Sequence, residues 1–143
     1  MVKKVMAFGS FDFLHPGHIH YLTMASKLGS YLIVVVARDS SIKAMKGRSP
    51  VFSQSARARL VGSLRAVDKA VVGNRIRKSS DMYRIISKYK PDVIAFGYDQ
   101  KVDLPKLRLW LRQNKIEARV VRIKSSLDPR HYKSSKIRAL IFQ

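Results

Sequence analysis

The sequence predicts an α/β domain built on a doubly wound parallel sheet of about five strands with helices on both faces. Three observations predict it. Short apolar, often β-branched runs recur along the chain, stripes of helical period separate them, and glycine, proline or a capping residue marks most boundaries. A length of 143 residues suits one such core, read as a single domain spanning 1–143.

Taken in order, Val5-Met6-Ala7-Phe8 closes on Gly9 and the run 31–37 is longer and richer in valine, so both read as buried strands. Between them Tyr21, Leu22, Ala25 and Leu28 follow the helical period, with Gly29 as the expected C-terminal stop. Ser53 is expected to cap a helix whose Ala56, Leu60 and Leu64 share one face, before a strand over 67–73. Met82, Ile85, Ile86 and Tyr89 form the stripe of the next helix, which Pro91 ends before a buried strand over 93–97. Asp103 is expected to cap a helix with Pro105 in its first turn, running to about Asn114. The stretch 118–123 reads as a half-buried strand with outward arginines, and 134–142 as a last helix. Ligands of such sheets sit at the carboxyl ends of the strands, near the point where strand order reverses. Function is therefore expected in the loops 9–18, 38–52, 73–80, 97–103 and 124–133.

Composition narrows the chemistry. With 46% hydrophobic residues and no apolar stretch of membrane-spanning length, the chain reads as a soluble protein, and without a secretory signal pattern at its start as a cytoplasmic one. The absence of cysteine removes disulfides, thiolate nucleophiles and Cys-type zinc sites. Twenty-nine Lys and Arg against nine Asp and Glu give a net charge of +20, a field that attracts polyanions. Nucleic acid and a phosphate-rich small substrate both suit that field, and a solvated basic surface suits it equally; charge alone does not choose. The basic run Arg75-Ile76-Arg77-Lys78 reads as a solvated loop within reach of an anionic substrate, Trp110 as packing, and His20 and His131 as surface residues. No GxGxxG fingerprint or P-loop GK[ST] occurs, which leaves nicotinamide and P-loop chemistry without support.

The first loop carries the chemistry. His15 and His18 flank Pro16-Gly17 where a helix should begin, and a helix N-terminus favours an anion. Imidazoles there can donate hydrogen bonds to phosphate oxygens as charge builds in a displacement at phosphorus; the alternative is an ordinary helix start with incidental histidines. A zinc site is discounted, because two histidines with few nearby acids make a poor closed site.

Gly9-Ser10-Phe11-Asp12-x-x-His15-x-Gly17-His18, after a strand and before a helix, resembles the signature of the cytidylyltransferase-like nucleotidyltransferase superfamily. Three further segments stand in matching order: Ala37-Arg38-Asp39 with Lys46-Gly47-Arg48, then Gly97-Tyr98-Asp99-Gln100, then Ser134-Ser135-Lys136-Ile137-Arg138. The resemblance implies transfer of a nucleoside monophosphate from a triphosphate to a phosphorylated acceptor by direct in-line displacement. It implies catalytic roles for His15, His18, Lys46 and Ser135. The nucleotide would be held by Gly9, Ser10, Phe11, His15, His18, Gly97, Asp99, Gln100, Ser134, Ser135 and Arg138, and the acceptor by Asp39, Lys46 and Arg48. Magnesium is expected with the triphosphate, its ligands unassigned and no permanently bound cofactor implied. Lys133 stands where relatives often carry a first hydroxyl. Asp12 is read as tying loop amides together and not as a metal ligand.

Among the subfamilies the chain looks most like archaeal-type FAD synthases, which adenylate FMN with ATP, giving FAD and pyrophosphate. Glycerol-3-phosphate cytidylyltransferases, which use CTP, are the alternative; they share the first motif and Arg65-x-Val67-Asp68-x-x-Val71, a stretch at the subunit interface of those dimers. A homodimer is implied through Arg65 and the strand after it. A nucleic-acid-binding module, motivated by charge alone, is the alternative from another class.

Overall fold

The computed structural model describes residues 2–123. Its strands are β1 (Lys4–Gly9), β2 (Tyr31–Val36), β3 (Lys69–Val72), β4 (Val93–Phe96) and β5 (Arg119–Arg122), all parallel, in the order β3-β2-β1-β4-β5. The expected doubly wound sheet is thus present. Alternation along each strand sends side chains to both faces, and both faces are covered. On one face, α1 (Pro16–Ser26) and α3 (Gln54–Gly62) bring Leu22, Ala25 and Val61 against Val5, Ala7 and Val34. On the other, α4 (Arg84–Tyr89) and α5 (Leu104–Gln113) bring Ile86, Leu107 and Leu111 against Met6, Ile33 and Ile94. No helix among the described residues is long and apolar enough to cross a membrane.

Two of the expected caps form as the residues suggest. The Ser53 hydroxyl accepts from Ala56 N at 3.2 Å, and the Asp103 carboxylate accepts from Lys106 N at 3.1 Å with Pro105 in the first turn.

Five expectations change. The segment 38–52 is not all loop, for α2 (Asp39–Lys46) lies within it and Gly47, at φ 73°, ends it in the left-handed conformation. Only Ile42 of α2 is buried, so no apolar stripe announces it. The Met82 stripe breaks because Ser79–Tyr83 is 3₁₀ helix and α4 begins only at Arg84. A period of three rotates the face, so Met82 is 44% exposed while Tyr83 is buried beside Trp110. On α3, Leu60 faces solvent and the buried positions are Arg57 and Val61. Arg122 points inward to the loop after β4, and only Arg119 of that strand is exposed. Finally, Gly29 is no helix cap: α1 ends at Ser26 with Lys27 still right-handed. What Gly29 provides is room, since a Cβ there would lie 2.5 Å from the Lys3 carbonyl oxygen and 2.7 Å from a Val5 methyl. The helix expected over 134–142 and the loop 124–133 lie outside the described residues.

The register locates the crevice. β1 pairs with β2 as far as Gly9 and Val36, but with β4 only as far as Ala7 and Ala95. Beyond that pair the chain after β1 stays with β2 and leaves β4, which opens the sheet at its switch point.

Because the obstruction at Gly29 is largely backbone, Gly29→Ala should destabilise the fold by about 2 kcal/mol. Urea unfolding checks this; an unchanged midpoint would show that the turn and β1 can part without loss.

Candidate active site

The loop between β1 and α1 is built around one folded-back ring. Phe11 takes a left-handed backbone, φ 53°, and turns its ring onto Gly9, where any Cβ would sit 2.6 Å from ring carbons. The ring is 2% exposed and meets His18 edge to face at 5.1 Å between centroids. Phe11 therefore backs the loop of His15 and His18 from beneath. Asp12 ties the loop sideways, its Oδ1 accepting from Val51 N at 2.8 Å and Phe52 N at 3.3 Å. The expectation that Asp12 binds loop amides is met across a separation of 39 residues.

His15 is the N-cap of α1, and the two histidines cap the helix reciprocally. Gly17 N donates to His15 Nδ1 at 3.1 Å, and His15 N donates to His18 Nδ1 at 3.3 Å. Imidazole nitrogens thus do what a hydroxyl and a carboxylate do in an ordinary capping box. The rings stack at 3.7 Å between centroids with 22° between their planes. An Nδ1 that accepts an amide N–H carries no proton, so each ring is neutral with its proton on Nε2. Burial, then the nearby His15, lower the His18 pKa from 6.5 to about 3; Lys46 adds to this and a hydrogen bond with the Phe13 backbone opposes it. Burial also lowers His15, and the charge of Asp99 works against that effect. The structure thus gathers His15, His18, Lys46 and Asp99 around the α1 N-terminus.

Where β1 and β4 separate, their backbone groups need partners. The buried Tyr21 hydroxyl donates to Ala95 O at 2.8 Å and accepts from Phe8 N at 3.3 Å, and burial raises its pKa. Gln100 spans the same gap: Nε2 donates to Phe8 O at 2.8 Å while Oε1 accepts from Gly97 N at 2.6 Å. Arg122 then donates to Gly97 O and Gln100 O at 2.9 and 2.7 Å. Both ends of the Gln100 amide are thus used in bracing the loop that presents Asp99.

Arg57 went unread in the sequence. Fully buried on α3, it donates through Nε to Phe52 O at 2.9 Å and through one terminal nitrogen to Ser10 O at 2.7 Å and Ala37 O at 2.8 Å. Its other terminal nitrogen meets Asp39 Oδ1 at 2.6 Å. One guanidinium therefore joins the chain ends after β1 and β2 to the start of α2, with Gln54 Oε1 accepting from Asp39 N. The signal was an arginine at i−4 from the buried Val61, which a hydrophobic-period search passes over. Asp39, read as an acceptor contact, is held by Arg57 and is still 42% exposed; Lys46 and Arg48 are exposed at and just beyond the end of α2. Ser134, Ser135 and Arg138 lie outside the described residues. Among those described, no three His, Asp or Glu side chains gather as a metal cage.

A parallel sheet opened at its switch point, with two neutral imidazoles capping a helix there, defines a nucleotide-handling α/β domain. The chain belongs to the cytidylyltransferase-like family, whose model matches residues 6–140. Similar curated proteins include the FAD synthase of Ferroglobus placidus, 44% identical over 136 residues that cover 95% of this chain and 86% of that protein. The FAD synthase of Thermoplasma acidophilum is 42% identical over 140 residues, covering 98% and 94%. Among solved structures, a protein of Thermoplasma volcanium described as a lipopolysaccharide core biosynthesis protein superposes with a TM-score of 0.80 at 42% identity, covering 90% of this chain and all of that one. Thermotoga maritima TmcAL, solved with alpha-thio ATP, shares the fold at a TM-score of 0.71 and 15% identity, over 97% of this chain and 50% of that one.

Two outcomes follow. Arg57→Met should cost at least about 3 kcal/mol, because it strands three backbone carbonyls and Asp39 together; chemical denaturation reads this, and a loss below about 1 kcal/mol would remove Arg57 as the organising contact. Acid should also destabilise the protein through His18. Its folded pKa, about 3, lies below the ordinary 6.5, so the unfolded chain takes up the proton first as pH falls. That contribution is complete above about pH 6.5 and is lost progressively down to about pH 3. Melting temperature measured across this range should fall less steeply in His18→Asn than in the wild type; equal slopes would contradict a neutral, buried His18.

Proposed function

We propose that the protein is an FAD synthase: it transfers AMP from ATP to the phosphate of FMN, releasing pyrophosphate. The reaction class rests on one observation, the stacked neutral pair His15 and His18 at the α1 N-terminus beside Lys46 and Asp99. The choice of ATP and FMN rests on similarity to curated FAD synthases over nearly the whole chain. ATP would carry magnesium on its phosphates, where the metal would offset their charge.

In this reading a phosphate oxygen of FMN attacks the α-phosphorus of ATP in line with the departing pyrophosphate. One P–O bond forms as the other breaks, and no covalent enzyme intermediate is needed. His15 and His18 donate hydrogen bonds to oxygens on which charge builds, aided by the α1 N-terminus. In this role each ring serves as a hydrogen-bond donor, burial disfavouring its charged form. Lys46 and Arg48 receive the acceptor phosphate, and the loop from Gly97 to Asp99, braced by Gln100, borders the nucleoside. Ser134, Ser135 and Arg138 belong to the same proposal as contacts of the leaving phosphates. A homodimer through the exposed Arg65 is part of it too, and mass measured in solution decides that point.

A pyrophosphate-release screen of ATP and CTP against FMN and glycerol 3-phosphate tests the function. ATP with FMN should turn over. Activity only with CTP and glycerol 3-phosphate would overturn the assignment in favour of a cytidylyltransferase. In the active combination His18→Ala should lose at least about a hundredfold in kcat with the fold retained.

A further inference from the structure

Exposed apolar side chains crowd one stretch of the chain. Met45, Val51 and Phe52 are all exposed, and Lys46 and Arg48, exposed as well, lie between the first and second of them. Single exposed hydrophobics are ordinary on a surface, whereas a group of them beside charged groups marks a place for an apolar ligand or partner. Phe52 is held through its backbone alone: its N donates to Asp12 Oδ1 at 3.3 Å and its carbonyl accepts from Arg57 Nε at 2.9 Å, while the residue stands 40% exposed. The ring of Phe13 meets it edge to face, at 6.1 Å between centroids. Phe13 follows Asp12 in the chain, and its backbone hydrogen-bonds His18. An aromatic corner is thus built into the loop of the two histidines, on the side where Arg57 joins the ends of β1 and β2.

We infer that the isoalloxazine ring of FMN stacks on Phe52, beside Phe13 and Val51, and that this corner makes the site specific for a flavin acceptor. The inference rests on the FMN reading above and deepens it, because the phosphate contacts in that reading would hold any phosphomonoester. Lys46 and Arg48 belong to the same segment as Val51 and Phe52. An acceptor that sets its phosphate beside them and His18 can therefore lay its remaining part on the aromatic corner. In FMN that part is a flat tricycle with an apolar dimethylbenzene end, the complement of an exposed ring face; glycerol 3-phosphate has no counterpart to it. Stacking on an aromatic side chain strengthens binding by on the order of tenfold or more. A ring whose backbone is already pinned at both N and O gives up little freedom when the flavin arrives. Adenine is the competing occupant of such a face, but in the same reading the nucleoside lies across the histidines, along the loop that Gln100 braces.

Steady-state kinetics of the wild type, Phe52→Ala and Phe52→Trp, with ATP and FMN varied in turn and riboflavin as inhibitor, test this. Phe52→Ala should raise the KM for FMN by on the order of tenfold and leave the KM for ATP unchanged. Riboflavin carries the ring without the phosphate. It should compete with FMN, and its inhibition constant should rise in Phe52→Ala by the same factor. Phe52→Trp keeps an aromatic face and should restore both values. Since residue 52 meets Asp12 and Arg57 through its backbone, Phe52→Ala should keep the fold. If it does not, Phe52→Leu, which retains apolar bulk without the ring, takes its place and should raise the KM for FMN in the same direction. An unchanged KM for FMN would overturn the inference, as would an equal rise in the KM for ATP, which would mark an adenine contact or a loosened loop. A riboflavin constant indifferent to the substitution would overturn it too, and so would a fall in solution mass from dimer to monomer, which would make the corner a contact between copies of the chain. Failure of the wild type to make FAD at all would instead overturn the function on which the inference rests.

Discussion

Arg57 is the contact on which the geometry of the site depends. Three of its partners are backbone carbonyls in segments distant in sequence, at Ser10, Ala37 and Phe52, and its fourth is Asp39 at the start of α2. Buried carbonyls without donors are expensive, and a buried guanidinium without acceptors more so. Each side of the network is therefore tolerable only because the other exists. Its consequence is positional: the chain leaving β1 and the chain leaving β2 are held at a fixed spacing, and α2, which carries Lys46, is set against them. Asp12 adds a second tie between the loop of His15 and His18 and the segment at Val51 and Phe52. The loop of His15 and His18 is thus fastened from the β2 side before any ligand arrives.

On the β4 side the problem is opposite, because the sheet must stay open. β1 and β4 stop pairing after Ala7 and Ala95, and closing the gap would remove the crevice. Tyr21 and Gln100 satisfy the exposed backbone groups of both strands from side chains instead, and Arg122 secures the carbonyls one layer further out. The crevice persists since its edges are hydrogen-bonded without being paired to each other. Preorganisation of this kind is what an in-line displacement asks of a protein, whose task is to position two charged reactants more than to react with them.

Much of this was legible beforehand. Strands showed as apolar runs, Ser53 and Asp103 as caps, and the histidine loop as a strand-to-helix turn with anion-binding character. The misses share a cause, which is that periodicity reports only apolar burial. Arg57 is buried but charged, so it reads as surface. α2 buries one residue, so it reads as loop. Met82 and Tyr83 exchange places because a 3₁₀ turn changes the period where the sequence offers no marker. Gly29 was legible as important and wrongly as a cap, since close approach to the Lys3 carbonyl belongs to the tertiary structure alone. Gln100 was seen as part of the site, while its bracing role depends on the separation of two strands that are distant in sequence.

The net charge of +20 and the neutrality of the two histidines divide the electrostatic work. Lysines and arginines spread over the surface would attract substrate, transition state and product alike, a contribution to encounter more than to the chemical barrier. Had His15 and His18 been cationic, they too would grip a triphosphate in its ground state. As neutral donors in the proposed reaction they would gain most when charge accumulates on the phosphoryl oxygens in flight, which is where stabilisation accelerates the reaction. In the proposed reaction their mutual stacking and shared burial, by disfavouring protonation, would therefore favour the transition state over the bound substrate. The reciprocal cap fixes the two rings on α1 with both Nδ1 atoms turned to backbone amides.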